Sequence, residues 1–227
     1  MNILALVISL IIGVSNIFPS GEVFNEFKNT YSNGYYSKSY EIPGYLLENM
    51  YGKSIEKGNQ VIDKLIAVDL TFRDFDESIK VGTLIVNKSL DKELQLIFKE
   101  IFHSGFKIYQ IRPVSYFSGN DAISMENNNS SAFNYRFIAG TKKLSNHSLG
   151  RAVDINPVQN PYISKGKVYP KEGSKYLERD LKVDGMITKD SEIVGIFKKY
   201  GWTWGGDWKN PKDYQHFEKK NKAVHSK

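Results

Sequence analysis

A domain that mixes helices with strands, of the α+β or α/β class, is the fold that this sequence predicts. Two β-rich segments, LIAVDLTF at 65–72 and GTLIV at 82–86, precede a segment with helical periodicity, and the strand-like FKIYQIRPV follows it. Strand, helix and strand in this order indicate a mixed core. The chain has 227 residues, 41% of them hydrophobic and 25% charged, which is the composition of a folded domain of ordinary size.

The N-terminal segment has the features of an export signal. An apolar run from Ile3 to about Val14 is shorter than a typical transmembrane helix but has the length of the hydrophobic core of a signal peptide. No Lys or Arg precedes this run, and no A-x-A cleavage site follows it. We expect a signal peptide at 1–18 and a secreted or cell-envelope protein, with an uncleaved membrane anchor or a buried N-terminal helix as alternatives. Residues 19–41, rich in Asn, Ser, Gly and Tyr, predict a linker.

Two amphipathic helices are predicted in the domain. The first lies in KSLDKELQLIFKEIFHSG and ends at Gly105, and the second starts at a Ser191 cap and ends at Gly201. The polar stretch between them, from Tyr116 to about Ser145, predicts a long functional loop. The apolar faces of the two helices are formed by Leu90, Leu94, Ile97, Phe98 and Ile101, and by Ile193, Val194, Ile196 and Phe197.

Composition excludes several kinds of chemistry. The chain has no cysteine, so disulfides, thiolate catalysis and sulfur-bound zinc are excluded, and any metal must be held by His, Asp and Glu. The net charge of +6 would suit nucleic acid, anionic lipid or an acidic wall polymer. The lysines are scattered and lack the interleaved aromatic pattern of single-strand binders, so no nucleic-acid partner is expected.

Two of the four histidines lie where a metal site could form. His147 precedes Asp154 by seven residues, and His216 follows Asp213 by three, whereas His103 and His225 are better explained as helix-end and tail residues. Two histidines and two aspartates can supply three ligands, an open position for water and a carboxylate for its proton. Turn or cap roles for the two aspartates are the alternatives.

The residues around these histidines resemble the two motifs of the VanY-like D-alanyl-D-alanine carboxypeptidases, a zinc peptidase family that also contains L-alanyl-D-glutamate endopeptidases. The second motif, D-x-x-H, is Asp213 and His216, with Asp where some relatives have Glu. The similarity runs from about Ile42 to Glu218 and predicts a peptidase domain over 42–218, followed by a basic tail at 219–227. The first motif, S-x-H-x-x-G-x-A-x-D, is formed by Ser145, His147, Gly150, Ala152 and Asp154.

The resemblance implies a role for each candidate residue. Zinc would be bound by His147, Asp154 and His216. Asp213 would be the general base, and Arg136 would stabilise the oxyanion unless it is a surface arginine. Gly150 and Ala152 would let the chain pass close to the metal. The candidates for substrate binding are Ser145 and Trp204, with core packing as the alternative for the tryptophan.

The resemblance also implies a fold and a function. The fold would be a small α+β domain of the hedgehog/D-Ala-D-Ala peptidase type, in which a central antiparallel sheet flanked by helices carries the zinc. The protein would be a monomeric zinc peptidase acting on peptidoglycan stem peptides, as an L-alanyl-D-glutamate endopeptidase or a D-alanyl-D-alanine carboxypeptidase. A non-catalytic, zinc-containing wall-binding module is the alternative, and retention of Asp213 speaks against it.

Overall fold

A computed structural model of the chain describes residues 34–138 and 140–220. The predicted signal peptide, most of the predicted linker, His225 and residues 221–227 of the predicted tail lie outside the described residues. From Ser37 onward the described chain forms one unit in which helices accompany mostly antiparallel strands, as expected for an α+β domain. No helix within the described ranges combines the length and the apolar composition that crossing a bilayer requires.

The longest sheet is antiparallel, with strand order β1-β2-β3. It consists of β1 (Ser37–Tyr40), β2 (Leu65–Arg73) and β3 (Ile79–Asn87). The two β-rich segments predicted from the sequence are therefore strands. Residues 37–40, expected in the linker, instead pair with residues 67–70 of β2. Their sequence SKSY gave no strand signal because this edge strand has no buried apolar face.

Two helices cover this sheet. Helix α1 (Gly44–Met50) buries Leu46 and Met50 in a core cluster with residues of β2 and β3. Helix α2 (Asp91–His103) packs on β2, and the predicted stop residue Gly105 follows its C-cap Ser104 with a φ of +78°. The predicted apolar face of this helix is confirmed, since all five of its members are buried.

Helix α4 (Glu192–Lys199) packs on α2 and buries the four apolar residues predicted for its face. Ser191 occupies the N-cap position as predicted, but its side chain makes no capping hydrogen bond. The Ser191 hydroxyl instead accepts a hydrogen bond from the backbone N–H of Thr188 at 2.8 Å. The ring of Phe197 stacks on Phe217 at 4.0 Å, which joins the helix to the candidate functional region.

The region predicted as a long loop contains short regular elements. It contains α3 (Asp121–Glu126) and β5 (Asn129–Ser130), and β5 runs parallel to β4 (Gln110–Ile111), the only part of FKIYQIRPV that forms a strand element. Residues 128–134 are buried although most are polar. Burial is tolerated because side-chain amides in this segment hydrogen-bond internally. Asn128, for example, donates to the Gln159 side chain at 2.8 Å.

Two further three-stranded antiparallel sheets complete the fold, so the single central sheet that was expected is replaced by several small ones. One has the order β6-β11-β9 and consists of β6 (Ala152–Asp154), β11 (His216–Glu218) and β9 (Thr203–Trp204). The other has the order β10-β7-β8 and consists of β10 (Lys212–Asp213), β7 (Tyr162–Ser164) and β8 (Lys167–Tyr169). Short 3₁₀ helices span Gln60–Lys64, Lys88–Leu90, Val114–Phe117, Asn146–Leu149, Lys171–Tyr176 and Gly205–Asp207.

Candidate metal centre

Three side chains from the two sequence motifs meet at one point. The ligand atoms of His147, Asp154 and His216 all lie within 4.8 Å of one another. Nε2 of His147 is 3.1 Å from Nδ1 of His216. The Asp154 carboxylate is 3.2 Å from the first of these nitrogens and 3.0 Å from the second. Both histidines are buried, so the three groups form a compact donor set shielded from bulk water.

Strand register brings two of the three donors together. Asp154 and His216 are direct partners in the antiparallel pair β6–β11, which places their side chains on the same face. On its other side Asp154 exchanges two backbone hydrogen bonds with Ser131, of 3.0 and 2.8 Å. Asp154 is therefore fixed from both sides, and the buried polar segment 128–134 forms one wall of the centre.

The third donor is positioned by a 3₁₀ turn. The backbone N–H of His147 donates to the hydroxyl of Ser145 at 3.3 Å, so Ser145 caps the turn and is buried rather than open to substrate. The turn ends at Gly150, whose φ is +62°. A Cβ on Gly150 would lie 2.5 Å from the backbone nitrogen of Asn87. The close approach expected at Gly150 is thus to β3 and not to the metal centre.

Hydrogen bonds on the far side of each imidazole decide which nitrogen faces the centre. Nδ1 of His147 lies 2.5 Å from the carbonyl oxygen of Ala132 and donates to it, which leaves a lone pair on Nε2. Nε2 of His216 lies 3.3 Å from the Glu218 carboxylate, which leaves the lone pair on Nδ1. Two imidazole nitrogens and a carboxylate therefore converge, and a bound cation or a proton shared between them stabilises the arrangement.

The electrostatics of the centre favour positive charge. Burial lowers the pKa of His216, but hydrogen bonds to Asp154 and Glu218 outweigh it and raise the pKa to about 10. Burial likewise raises the pKa of Asp154, yet the neighbouring His147 and His216 bring it below its ordinary value. The hydrogen bond with His216 lowers the pKa of Glu218 to about 2. The surrounding carboxylates thus stabilise a positive charge at this position.

The spacing of the donors fits a small divalent cation. Zinc bonds of about 2.0–2.1 Å in a tetrahedral site place neighbouring ligand atoms about 3.3 Å apart. Here the two imidazole nitrogens are 3.1 Å apart, Oδ2 of Asp154 is 3.2 Å from His147, and Oδ1 of Asp154 is 3.0 Å from His216. A small rotation of the Asp154 carboxylate would bring one oxygen toward both nitrogens. Two imidazole nitrogens and a carboxylate oxygen are also a donor set that zinc accepts. The residues present therefore fit a zinc ion without rearrangement of the backbone.

Asp213, the expected base, lies next to the donor group. Burial raises its pKa to about 7, with Asp154 adding to the effect and the charges of His216 and Arg136 opposing it. Its Oδ1 atom is buried and has no hydrogen-bond partner among the described residues. A buried carboxylate oxygen without a partner is costly unless a ligand or water completes it. Asp213 is therefore available to exchange a proton with a bound molecule.

Arg136 lies within electrostatic range of this carboxylate, since its charge lowers the pKa of Asp213. Its side chain is 38% exposed and forms an ion pair with Asp121. Its backbone is held by Ser148, whose hydroxyl accepts from the Arg136 N–H at 2.8 Å and donates to the Arg136 carbonyl. The arginine thus lies at the solvent-facing rim of the centre.

Trp204 does not have the open position expected of a substrate-binding residue. It is 3% exposed, its indole N–H donates to the carbonyl of Tyr214 at 2.8 Å, and its ring stacks near Phe217. Core packing, the alternative considered for it, describes this environment. Trp208 is the tryptophan at the centre, because it is only half-buried and its ring centroid is 5.3 Å from that of His216.

Two residues at the centre were missed in the sequence. Glu218 contacts His216, and the same carboxylate oxygen accepts a hydrogen bond from the Asn146 side chain at 2.6 Å. A signal for Glu218 was present, since strand alternation puts residues 216 and 218 on the face opposite the buried Phe217. Asn146 had no such signal, because its partner is 72 residues away in the chain.

Three donors of this kind with a carboxylate beside them form a set that can hold a catalytic metal ion. Residues 139–219 match a family model described as D-alanyl-D-alanine carboxypeptidase. Both motifs lie in this segment, and the resemblance to the VanY-like peptidase family predicted from them is confirmed over these residues.

A curated relative agrees with the family match. The chain is 36% identical over 77 residues to the peptidoglycan L-alanyl-D-glutamate endopeptidase CwlK of Bacillus subtilis (strain 168). The aligned region covers 33% of this chain and 38% of the relative, so the chain spans less than half the length of that protein. No solved structure matches the chain.

Proposed function

We propose that this protein is a zinc-dependent peptidase that hydrolyses the stem peptides of peptidoglycan. The observation that carries the proposal is the convergence of two imidazole nitrogens and a carboxylate beside Asp213, whose Oδ1 atom has no hydrogen-bond partner among the described residues. The family match supports peptidase chemistry, and the similarity to a peptidoglycan endopeptidase supports the substrate class. The N-terminal apolar segment supports export to the wall.

His147, Asp154 and His216 would hold the metal through Nε2, a carboxylate oxygen and Nδ1. Zinc, when bound, supplies a lowered pKa for a water molecule and a positive charge that polarises the scissile carbonyl. Ala132 and Glu218 keep each imidazole in the tautomer that presents its lone pair to the centre. Ser145 contributes by capping the turn that carries His147.

Asp213 would be the general base. Its burial favours the neutral acid, so that a proton accepted from the attacking water can be retained and then passed to the leaving amine. Its Oδ1 atom has no competing hydrogen-bond donor from the described protein. A purely structural metal site needs no such carboxylate, and this favours the enzyme over the non-catalytic binding module.

Arg136 would stabilise negative charge on the carbonyl oxygen during attack. Its ion pair with Asp121 and its clamped backbone hold the guanidinium at the rim of the centre. The partly exposed side chain can reach a bound peptide, whereas a fully buried arginine could not.

For the bond that is cleaved, we propose the L-alanyl-D-glutamate bond. The endopeptidase name of the relative and the aspartate of the second motif support it, while the description of the family model keeps D-alanyl-D-alanine trimming as the rival.

Digestion of purified peptidoglycan tests the function. The zinc-loaded protein should release fragments with new glutamate amino termini, identified by mass spectrometry, and the Asp213→Asn variant should release almost none. Stoichiometric release of D-alanine with intact stems would assign the carboxypeptidase activity instead. Absence of any new end group with fully zinc-loaded protein would remove the peptidase proposal.

A further inference from the structure

We propose that one face of the β7–β8 hairpin is a substrate subsite for an acidic stem peptide. In this subsite Tyr162 and Tyr169 contact the peptide and Lys167 pairs with one of its carboxylates. The inference rests on the proposed function, because it extends outward from the same catalytic carboxylate.

Strand register places the two tyrosines in line with Asp213. Asp213 of β10 is the direct partner of Tyr162 in β7, and Tyr162 is the direct partner of Tyr169 in β8. Direct partners in antiparallel strands carry their side chains on the same face of the sheet. The three residues therefore form a row across the sheet that starts at the carboxylate facing the metal centre.

The row leads from the buried centre to solvent. Neighbouring strands are about 4.8 Å apart, so the backbone of Tyr169 lies about 10 Å from that of Asp213. Tyr162 is half-buried, Tyr169 is 39% exposed, and the centroids of their rings are 6.0 Å apart. An extended peptide rises about 3.3 Å per residue, so the row matches roughly three residues of a peptide.

A positive charge continues this face. Ser164 and Lys167 are the next pair in register, two residues along each strand, so alternation places Lys167 on the same face as the tyrosines. Lys167 is exposed, as are the nearby Lys171 and Lys175. Among the ion pairs of the described residues, none involves these three lysines, and their charges are left for a ligand.

The opposite face of the sheet has a different role. Ile163 and Val168 are direct partners there and are partly buried. Lys212, on the same side, donates a hydrogen bond to the carbonyl of Gly206 at 2.8 Å. The face with Tyr162 and Tyr169 is therefore the one whose side chains are available to contact a ligand.

The chemistry of this face selects an acidic peptide. Tyrosine rings contact peptide backbone and aliphatic side chains, and a lysine pairs with carboxylates. A stem peptide that contains glutamate, as the name of the relative indicates for its substrate, supplies such a carboxylate close to the scissile bond.

Steady-state kinetics on a soluble synthetic stem peptide tests the subsite. We expect KM to rise about threefold for Lys167→Ala, the usual worth of one exposed ion pair. We expect a rise of about fivefold for Tyr169→Ala, in line with the loss of an aromatic contact. In both variants kcat and the melting temperature should stay unchanged. The matched controls are Lys99→Ala on α2 and Tyr45→Ala on α1, both exposed, and they should leave KM unchanged.

Salt dependence gives a second readout. Raising the ionic strength should raise KM for the wild type, and Lys167→Ala should show a weaker response because the screened pair is absent. An unchanged KM in both Lys167→Ala and Tyr169→Ala, with an active wild type, overturns the subsite and leaves the peptidase proposal intact. Loss of binding to whole walls without any change toward the soluble peptide would assign the lysines to an anionic wall polymer and also overturn it. An inactive wild type would refute the proposed function itself.

Discussion

Removing the Glu218 carboxylate tests how the metal centre is held together. Glu218→Leu takes away the acceptor facing Nε2 of His216 at 3.3 Å and the partner of Asn146 at 2.6 Å. His216 is free to rotate or to change tautomer once its outer nitrogen has no acceptor. We therefore expect the variant to fold and to bind zinc more weakly.

The magnitude follows from these contacts. Leaving a buried N–H without an acceptor costs about 1–3 kcal/mol. His216 is 6% exposed, so water cannot fully replace the lost acceptor. A weakening of zinc affinity by about 10- to 100-fold results, which agrees with the usual effect of removing the outer partner of a metal-bound histidine. Glu218→Gln keeps an oxygen acceptor in place, and its loss should stay below about tenfold.

Competition with a chromophoric chelator measures these affinities directly. Glu56→Leu, which removes an exposed glutamate, is the control and should match the wild type. A well-folded Glu218→Leu protein with wild-type zinc affinity would refute the reasoning, because it would mean that the orientation of His216 does not depend on its outer hydrogen bond.

Four further outcomes are expected. Asp213→Asn should keep its zinc, measured by metal analysis, and lose about 10²- to 10⁴-fold in turnover; rescue by added zinc would instead make Asp213 a ligand. Because the pKa of His216 is raised to about 10, metal-free protein at pH 7 should release about one proton when it binds zinc. Calorimetry in buffers of different ionisation enthalpy measures this release. If no proton is released, His216 is not protonated in the metal-free centre. The raised pKa also means that this proton stabilises the metal-free fold fully below about pH 6.5 and that its contribution is lost as the pH rises toward 10. Gly150→Ala should lower the free energy of unfolding by about 2 kcal/mol or more, because it combines a positive φ with a backbone contact at 2.5 Å; Gly58→Ala, with a positive φ in open space, is the control and should lose less.

The sequence could predict the candidate donors because each lies in a short local motif. Apolar periodicity likewise predicted α2 and α4, since a helix buries one face of its own sequence. The sequence left two roles open for Trp204, because its burial depends on Phe217 and Tyr214, which only the folded chain brings beside it. The polarity of segment 128–134 predicts a loop, because its hydrogen-bond partners, such as Arg112 and Gln159, are distant in sequence.

Sheet architecture was the least predictable feature. Strands of two or three residues such as β9 and β10 are too short to show alternation. The pairing of these strands depends on residues from distant parts of the chain. The structure therefore has several small sheets where the sequence predicted one. The register that aligns Asp213 with Tyr162 could not be predicted from either segment alone.

The distance along the chain between the two histidines has a consequence for how the protein withstands unfolding. His147 and His216 are 69 residues apart, yet their facing nitrogens are 3.1 Å apart. A metal ion held between them closes a loop of that length, and closure of a long loop removes many conformations from the unfolded chain. In a chain without cysteine, such an ion is the only kind of cross-link that the side chains of this centre can form. The resistance of the domain to heat and to proteases in its surroundings would then rise and fall with the supply of free metal.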